Sequence, residues 1–458
     1  MKVIICGAGQ VGASIARQLA AEENDVTVID QSEELVRTLT DSLDVQGVVG
    51  FASHPDVLER AGAADADMLI AVTREDEINM IACQVAHSLF NVPTKIARVR
   101  EESYLQPIWA DLFSRENMPI DVIISPEIEI ARAIGRRLQA PGAFDMIPLA
   151  DGKVRVIGVH CTEECPILNT PLRQLTGLFP DLNIVVVLII RDGQPLPRDE
   201  NAQMLAGDDV YFVADSEHVS RVMALFGHEE PEARRIVIAG AGNIGLYLAH
   251  MIEEEHPAAR LKVIERDKQI AERATQALSR AVVINGSAID PEIMAEANVG
   301  KAETAVFVTN SDEVNVLASL LAKRQGCHRT VTLVNNPVFG PLLYSLEIDV
   351  VVNPRVITVS TILQHVRRGR IRSVHTLGEG FGEIVEADAL ETSPLVGPPL
   401  REIDLPEGVV VGALVRDDEV IIPGGDTVIK VKDRIVLFAA PAAVKKVTRM
   451  FAVRLEYF

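Results

Sequence analysis

Val3-Ile4-Ile5-Cys6-Gly7-Ala8-Gly9-Gln10-Val11-Gly12 stands at the head of the chain, and Val237-Ile238-Ala239-Gly240-Ala241-Gly242-Asn243-Ile244-Gly245 repeats it in the second half. In each stretch an apolar strand runs into three glycines spaced G-x-G-x-x-G. The first glycine permits a tight turn, the second lets backbone approach a pyrophosphate, and the third packs the following helix close to the strand. The helix start supplies unpaired N–H groups and partial positive charge. An acid closes the next strand in both halves, Asp30 and Glu265, about 20 residues past the third glycine. A carboxylate there accepts hydrogen bonds from the ribose hydroxyls of an adenosine and repels a 2′-phosphate, so the pattern favours NAD(H) over NADP(H). The competing reading, a dinucleotide fold whose loop holds nothing, weighs more on the second loop than on the first.

Outward from the first loop, strands and helices alternate. Lys2–Cys6 and Asp25–Ile29 read as strands around a helix over Gln10–Glu23, whose Val11, Ile15 and Leu19 share one face. Further strands are expected at Val45–Val49, Met68–Val72, Lys95–Val99 and Asp121–Ser125, with helices at Ser32–Asp41, after Pro55 and over Asp76–Phe90. Strands alternating with helices imply an α/β, doubly wound parallel sheet of Rossmann type. The second half repeats the order: Thr73-Arg74-Glu75-Asp76-Glu77-Ile78-Asn79 lies opposite Thr309-Asn310-Ser311-Asp312-Glu313-Val314-Asn315. Helices over Glu127–Leu138 and Val356–Arg370 then lead into two small, β-rich α+β modules. Each module carries a proline-leucine-arginine segment (Pro171-Leu172-Arg173, Pro399-Leu400-Arg401) and a very apolar strand (Ile184–Ile190, Val409–Val415). Each also has a polar turn before its last strand (Gly207-Asp208, Lys432-Asp433). The expected division is a first sheet domain over 1–141, a module over 142–227, a linker over 228–235, a second sheet domain over 236–370 and a second module over 371–458.

Composition excludes several function classes. The 458 residues carry a formal net charge of −21, which argues against a nucleic-acid partner. No apolar run reaches the roughly 18–20 residues that span a bilayer, and the N-terminal apolar stretch ends in a glycine turn, unlike a signal peptide. A cytoplasmic protein that meets a membrane only through a partner is expected. The five cysteines, Cys6, Cys83, Cys161, Cys165 and Cys327, fit reduced thiols. Cys161-Thr162-Glu163-Glu164-Cys165 follows His160, but with four-residue spacing and no second Cys/His pair it reads as a strand edge and not as a metal site.

Beyond the glycine loops, Thr73 and Arg74 end one strand and Arg98 another, at the edge where ligands sit in doubly wound sheets. An arginine there can fork onto phosphate oxygens. In the second half Asn310 replaces Arg74, and Ile96-Ala97-Arg98-Val99-Arg100 faces Thr332-Leu333-Val334-Asn335-Asn336. The second site then takes a different nucleotide, binds weakly, or serves structure. No histidine, nucleophile or metal constellation accompanies the loops, which points to binding without turnover and to no catalytic residue. An NAD-dependent oxidoreductase and a soluble nucleotide sensor for another partner remain as alternatives. Arginines gather where the long helices end (Arg132, Arg136, Arg137; Arg367, Arg368, Arg370, Arg372). They suit either a partner or acidic lipid, or the C-terminal end of a helix dipole.

Gly7 to Gly12, Asp30, Thr73, Arg74 and Arg98, in that order and inside a tandem sheet–module–sheet–module chain, resemble the regulator-of-potassium-conductance nucleotide domains. The arrangement is similar to that of the TrkA family, the peripheral NAD-binding subunits of bacterial Trk potassium-uptake systems. The resemblance implies a regulatory subunit without enzymatic activity. Such a subunit assembles as a homotetramer on the cytoplasmic face of a Trk-type potassium-translocating membrane protein. It further implies that NAD(H), and in relatives ATP or ADP, gates ion flow. It places first-site contacts at Gly7, Ala8, Gly9, Gln10, Val11, Gly12, Asp30, Thr73, Arg74 and Arg98. Second-site contacts fall at Gly240, Ala241, Gly242, Asn243, Ile244, Gly245 and Glu265.

Overall fold

The structure is a computed structural model of residues 1–458; it describes all of them except 179–182, 197–198, 200, 229–232, 337–338, 340–342, 344–345, 347, 367–370, 379 and 452–458. The middle of the expected linker and three of the arginines named above (Arg367, Arg368 and Arg370) lie outside the described residues. The chain divides into two compact units, Met1–Ile130 with Pro354–Arg367, and Ala131–Asn353 with Arg368–Phe458.

The first unit is built on six strands: β1 (Lys2–Cys6), β2 (Asp25–Asp30), β3 (Gln46–Val49), β4 (Met68–Ala71), β5 (Thr94–Arg98) and β6 (Val122–Ile124). Their order is β3-β2-β1-β4-β5-β6, every pair parallel, so the strand order reverses beside β1. A crevice at such a reversal, beyond the carboxyl ends of the strands, is where doubly wound sheets hold ligands. β1 and β4 are buried on both faces, which is why they read as unbroken apolar runs rather than alternating ones. Helices α1 (Gln10–Ala21), α2 (Glu33–Ser42), α3 (Pro55–Arg60) and α4 (Asp76–Phe90) connect the strands. α1 buries Ile15 and Leu19 of the expected face together with Gly12 and Ala16, while Val11 is half-buried at its edge. After β5 come two short 3-10 turns, Glu102–Leu105 and Pro107–Phe113, which leave Ile108 and Trp109 exposed.

Helix α5 (Pro126–Leu138) leaves the first sheet, and its later turns group with the second unit. There a Cβ at Gly135 would sit 2.0 Å from Met251 Cε. The Arg329 guanidinium donates to the carbonyls of Arg137, at 3.0 Å, and Ala143, satisfying the end of this helix. Arg137 is likewise turned to structure: it donates to the Phe144 carbonyl at 2.8 Å and pairs with Asp145 at 2.5 Å.

The second unit repeats the parallel sheet with β12 (Arg235–Ala239), β13 (Arg260–Glu265), β14 (Val282–Asn285), β15 (Thr304–Phe307), β16 (Arg329–Leu333) and β17 (Val350–Val352) in the order β14-β13-β12-β15-β16-β17. Its helices include α8 (Asn243–Glu255), α9 (Lys268–Ala277), α10 (Pro291–Ala297) and α11 (Asp312–Gln325). Helix α12 (Pro354–Val366) follows β17 in sequence yet completes the first unit. Its Val359, Ile362, Leu363 and Val366 join Ile5, Ile15, Leu19, Val28 and Ile70 in one buried cluster.

The two modules are antiparallel. In the first, β7 (Ala143–Leu149), β8 (Val154–His160), β9 (Ile184–Arg191), β10 (Gln194–Pro195) and β11 (Asp209–Asp215) lie in the order β10-β9-β11-β8-β7, joined by α6 (Leu172–Leu178) and α7 (Val219–Leu225). In the second, β18 (Ile371–Leu377), β19 (Gly382–Asp388), β20 (Val409–Arg416), β21 (Glu419–Ile421) and β22 (Arg434–Ala439), followed by α13 (Val444–Met450), have the matching order β18-β19-β22-β20-β21. One face of each sheet packs on the other through Val156, Leu188, Val213, Val410, Ala413 and Phe438. The polar turns expected before the last strands hide buried ion pairs. Asp208 receives Arg191 through two bonds of 2.7 Å, and Asp433 receives Arg416 at 2.8 and 2.6 Å. At 1 % and 2 % exposure, these carboxylates would be costly without the forked partner.

Candidate nucleotide-binding sites

The three glycines of each loop stand in place for three different reasons. Gly7 has φ +111° and Gly240 φ +106°, a region closed to most side chains. A Cβ on Gly12 would lie 1.9 Å from the Gly7 carbonyl oxygen, and one on Gly245 the same distance from that of Gly240, so only a bare backbone lets the helix approach. A Cβ on Gly9 or Gly242 would meet nothing within 4 Å. The middle glycine therefore faces open space, as a position against which a ligand backs must do.

Gly9 and Gly242 are also the caps of α1 and α8, and neither helix has a side-chain cap or an acid in its first turn. The next helix in each sheet is capped conventionally, α2 by Ser32 and α9 by Asp267. The leading N–H groups of α1, from Gln10, Val11 and Gly12, thus have neither an intrahelical acceptor nor a side-chain substitute. Asn243, Ile244 and Gly245 stand the same way in α8. An anion satisfies such donors and the helix dipole together.

Asp30 and Glu265 hold the loops. The Ala8 N–H donates to Asp30 Oδ2 at 2.7 Å and the Ser32 N–H to Oδ1 at 2.8 Å; the Ala241 N–H donates to Glu265 Oε2 at 2.7 Å and the Asp267 N–H to Oε1 at 2.8 Å. Each carboxylate oxygen keeps a lone pair for a further donor such as a ribose hydroxyl.

Sequence reasoning missed the asparagines that tie the next two strand ends together. Asn79, fully buried, accepts from the Thr73 N–H at 2.8 Å and the Thr73 hydroxyl at 2.7 Å, and donates to the Arg98 carbonyl at 2.9 Å. Asn315 makes the same set with Thr309 and with the Leu333 carbonyl. Asp76 accepts the N–H groups of Arg100 and Glu101, while Asp312 accepts those of Asn335 and Asn336. The signal was the repeat of Thr, Asp and Asn at equal spacing in both halves. These bonds also correct the pairing of the segments: Leu333, and not Val334, occupies the place of Arg98.

Around this frame the two sites part. The Arg98 guanidinium donates to the Thr73 carbonyl at 2.6 Å, and its Nε is buried without a hydrogen-bond partner. Burial lowers its pKa from the usual arginine range, and nearby Arg100 adds to this, against the opposing pull of Glu127 and Asp76. Arg100 is neutralised by Glu127 at 2.6 Å. Arg74 is exposed on the neighbouring loop. The first site therefore holds a half-buried cation with donor capacity to spare, where the second has a leucine. Among the described residues no group of three or more His, Cys, Asp or Glu side chains could hold a metal ion.

The family models agree with this frame. The TrkA-N domain matches residues 3–126 and again 236–354, and the TrkA-C domain matches 384–452. The "Trk system potassium uptake protein TrkA" of Azorhizobium caulinodans is 53% identical over 100% of both chains. The chain belongs to the TrkA family. The TrkA of Halomonas elongata is 40% identical over 100% of both chains, and that of Vibrio alginolyticus 40% over 96% of this chain and 95% of its own. These relatives are named for potassium uptake and not for any reaction. Among solved structures, the GsuK RCK domain covers 99% of this chain and 95% of its own with a TM-score of 0.60 at 20% identity. The GsuK channel bound to NAD covers 99% and 79% with a TM-score of 0.59 at 19% identity. At these identities the likeness establishes the fold: tandem Rossmann-like domains with small modules, as the spacing of strands and glycines implies.

Proposed function

We propose that this TrkA-family chain binds NAD(H) at its first glycine loop and uses occupancy of that site to gate a Trk-type potassium-translocating membrane subunit. The observation that carries the reading is the uncapped start of α1 behind an open Gly9, with Arg98, whose Nε has no hydrogen-bond partner, on the strand end beyond Thr73. This is a cradle for a diphosphate, with a cation for charge beyond it. ATP and ADP share that diphosphate and are competing ligands at the same place. The second loop keeps the cradle and its acid but has Asn310 and Leu333 for the arginines, so it binds more weakly or takes a less charged ligand.

A ligand shifts a conformational equilibrium only by binding one state better. The contacts that can differ between states are those past the cradle, from Arg74 and Arg98. Helix α12 packs on α1 and leads in sequence directly to β18 of the second module. A shift of α1 on ligand binding thus has a covalent route to a module that can bear on a partner. Among the described residues no helix is long and apolar enough to cross a membrane. The proposed location is accordingly the cytoplasmic face of the membrane, reached through the membrane subunit, with four chains assembling as a homotetramer. The expected functional ranges are 1–141 and 236–370 for nucleotide binding, with α12 inside the latter range serving the first sheet, and 142–227 and 371–458 for regulation.

Titration of the purified chain with NADH, NAD and ATP tests the reading, run on wild type and on Asp30→Ala and Glu265→Ala. Loss of the tighter binding event in Asp30→Ala supports it. Copurification with the membrane subunit and nucleotide-dependent potassium flux test the coupling. Flux indifferent to nucleotide would overturn the gating role.

A further inference from the structure

The rim of the first crevice carries an aromatic pair that nothing in the cradle requires. Strand β3 runs parallel to β2 with Val49 opposite Asp30, and the Gly50 N–H donates to the Asp30 carbonyl at 2.9 Å. The residue that follows, Phe51, is 47% exposed although its neighbour Ala52 is buried. The Phe51 ring lies against that of His54, with centroids 5.2 Å apart and planes tilted by 32°. Val49 is exposed as well. An apolar and aromatic surface, from Val49 opposite the acid proposed to hold the ribose to Phe51 two residues further on, therefore stands in water.

The second half shows that the fold does not call for it. The Gly286 N–H donates to the Glu265 carbonyl at 2.8 Å, which fixes the correspondence. Asn285, Ser287 and Asp290 then stand where Val49, Phe51 and His54 stand. Asn285 is spent on the carbonyls of Glu265 and Arg266, and Asp290 on capping α10. The same backbone carries a polar rim there without a ring.

We propose that Phe51, braced by His54, is the surface on which the purine base of the first-site nucleotide stacks, making that site selective for base-bearing nucleotides in a way the second is not. The inference rests on the nucleotide reading above. A base attached to a ribose held at Asp30 projects past the ends of β2 and β3, and Phe51 is the ring exposed there. Stacking of a base on an aromatic side chain is sequence-tolerant and changes a dissociation constant by roughly five-fold to a hundred-fold. Phe51 is a specificity residue in this account.

The test is calorimetric titration of the full chain with two probes: ADP-ribose, which carries adenine, and inorganic pyrophosphate, which offers the cradle a diphosphate without any base. Phe51→Ser, which copies the second half, is expected to weaken ADP-ribose binding about ten-fold and to leave pyrophosphate binding and the unliganded melting temperature unchanged. Phe51→Tyr is expected to restore wild-type affinity, and Ser287→Phe to tighten the second site. ADP-ribose binding equal in wild type and Phe51→Ser overturns the stacking proposal. If Asp30→Ala abolishes that binding in the same series, the nucleotide site survives and only the base platform falls. If Asp30→Ala leaves it intact, the site assignment falls and takes the platform with it.

Discussion

Arg98 donates its guanidinium to the Thr73 carbonyl at 2.6 Å, and among the described residues no carboxylate forms an ion pair with it. The same strand end that shows its carbonyl to Asn79 thus keeps a cation that burial destabilises. An anion arriving at the crevice relieves that cost.

Replacing Arg98 by the leucine of the second half is therefore expected to weaken first-site binding of NADH. Hydrogen bonds to charged groups contribute about 1.5–3 kcal/mol, a loss of roughly ten- to a hundred-fold in affinity. The unliganded protein is expected to melt at the wild-type temperature or slightly higher, because a cation that burial destabilises has been removed. Calorimetry and thermal melts on Arg98→Leu check both halves of this expectation.

Gly9→Ala and Gly12→Ala separate binding from folding within one loop. An added methyl on Gly9 meets open space, so folding is expected to be intact while the diphosphate can no longer approach. The same methyl on Gly12 collides with the Gly7 carbonyl, 1.9 Å away. Overpacking of this kind costs about 1–3 kcal/mol, and the upper end is expected because the obstacle is backbone. Circular dichroism melts should be unchanged for Gly9→Ala and lowered for Gly12→Ala, and nucleotide titration should fail for both.

Asn79→Ala and Asn315→Ala should cost stability in their own halves. Each removes a buried side chain that serves two strand ends, stranding the Thr73 or Thr309 N–H without its acceptor. An unsatisfied buried group costs about 1–3 kcal/mol. Hydrogen exchange resolved along the chain is expected to show loosening near Thr73 and Arg98 in the first variant and near Thr309 and Leu333 in the second. Asn79→Ala is also expected to lower first-site affinity, since it releases the segment that presents Arg98.

His375 gives the second module a pH dependence. Burial, helped by the Arg136 guanidinium, pushes its imidazole down to about 4. The unfolded chain takes up a proton near the usual 6.5 while the folded chain does not, so protonation favours unfolding. The stability that the neutral ring permits is complete above about pH 6.5 and is lost as pH falls toward 4. His375→Gln is expected to flatten the melting temperature across that window, and titration of the His375 ring signals by NMR measures the folded value directly.

Much of this was legible in the sequence because it rests on local rules. A glycine needed for a positive φ, and another for a close helix approach, leave no substitute, so Gly7, Gly12, Gly240 and Gly245 announce themselves. The acids at Asp30 and Glu265 announce themselves by position. Helix α12 did not, because Val359, Ile362, Leu363 and Val366 form an apolar face whichever sheet they cover. Nor did the roles of Asn79 and Asp76: a buried asparagine and an exposed one look alike until strand ends supply the groups it bonds. The offset between Arg98 and Leu333 escaped because two runs of apolar residues align equally well one step apart.

The placement of α12 bears on how the chain is made. The first sheet needs a helix lying beyond both glycine loops, encoded after β17. A ribosome that has delivered everything through the first module has produced a sheet whose covering is still unsynthesised, with Ile5, Val28 and Ile70 lacking their final neighbours. Domains generally fold in order of emergence; this one receives its last covering helix only once the nascent chain has passed residue 366. A gene cut between the halves would leave the N-terminal piece with an oily flank, in need of the other fragment in trans.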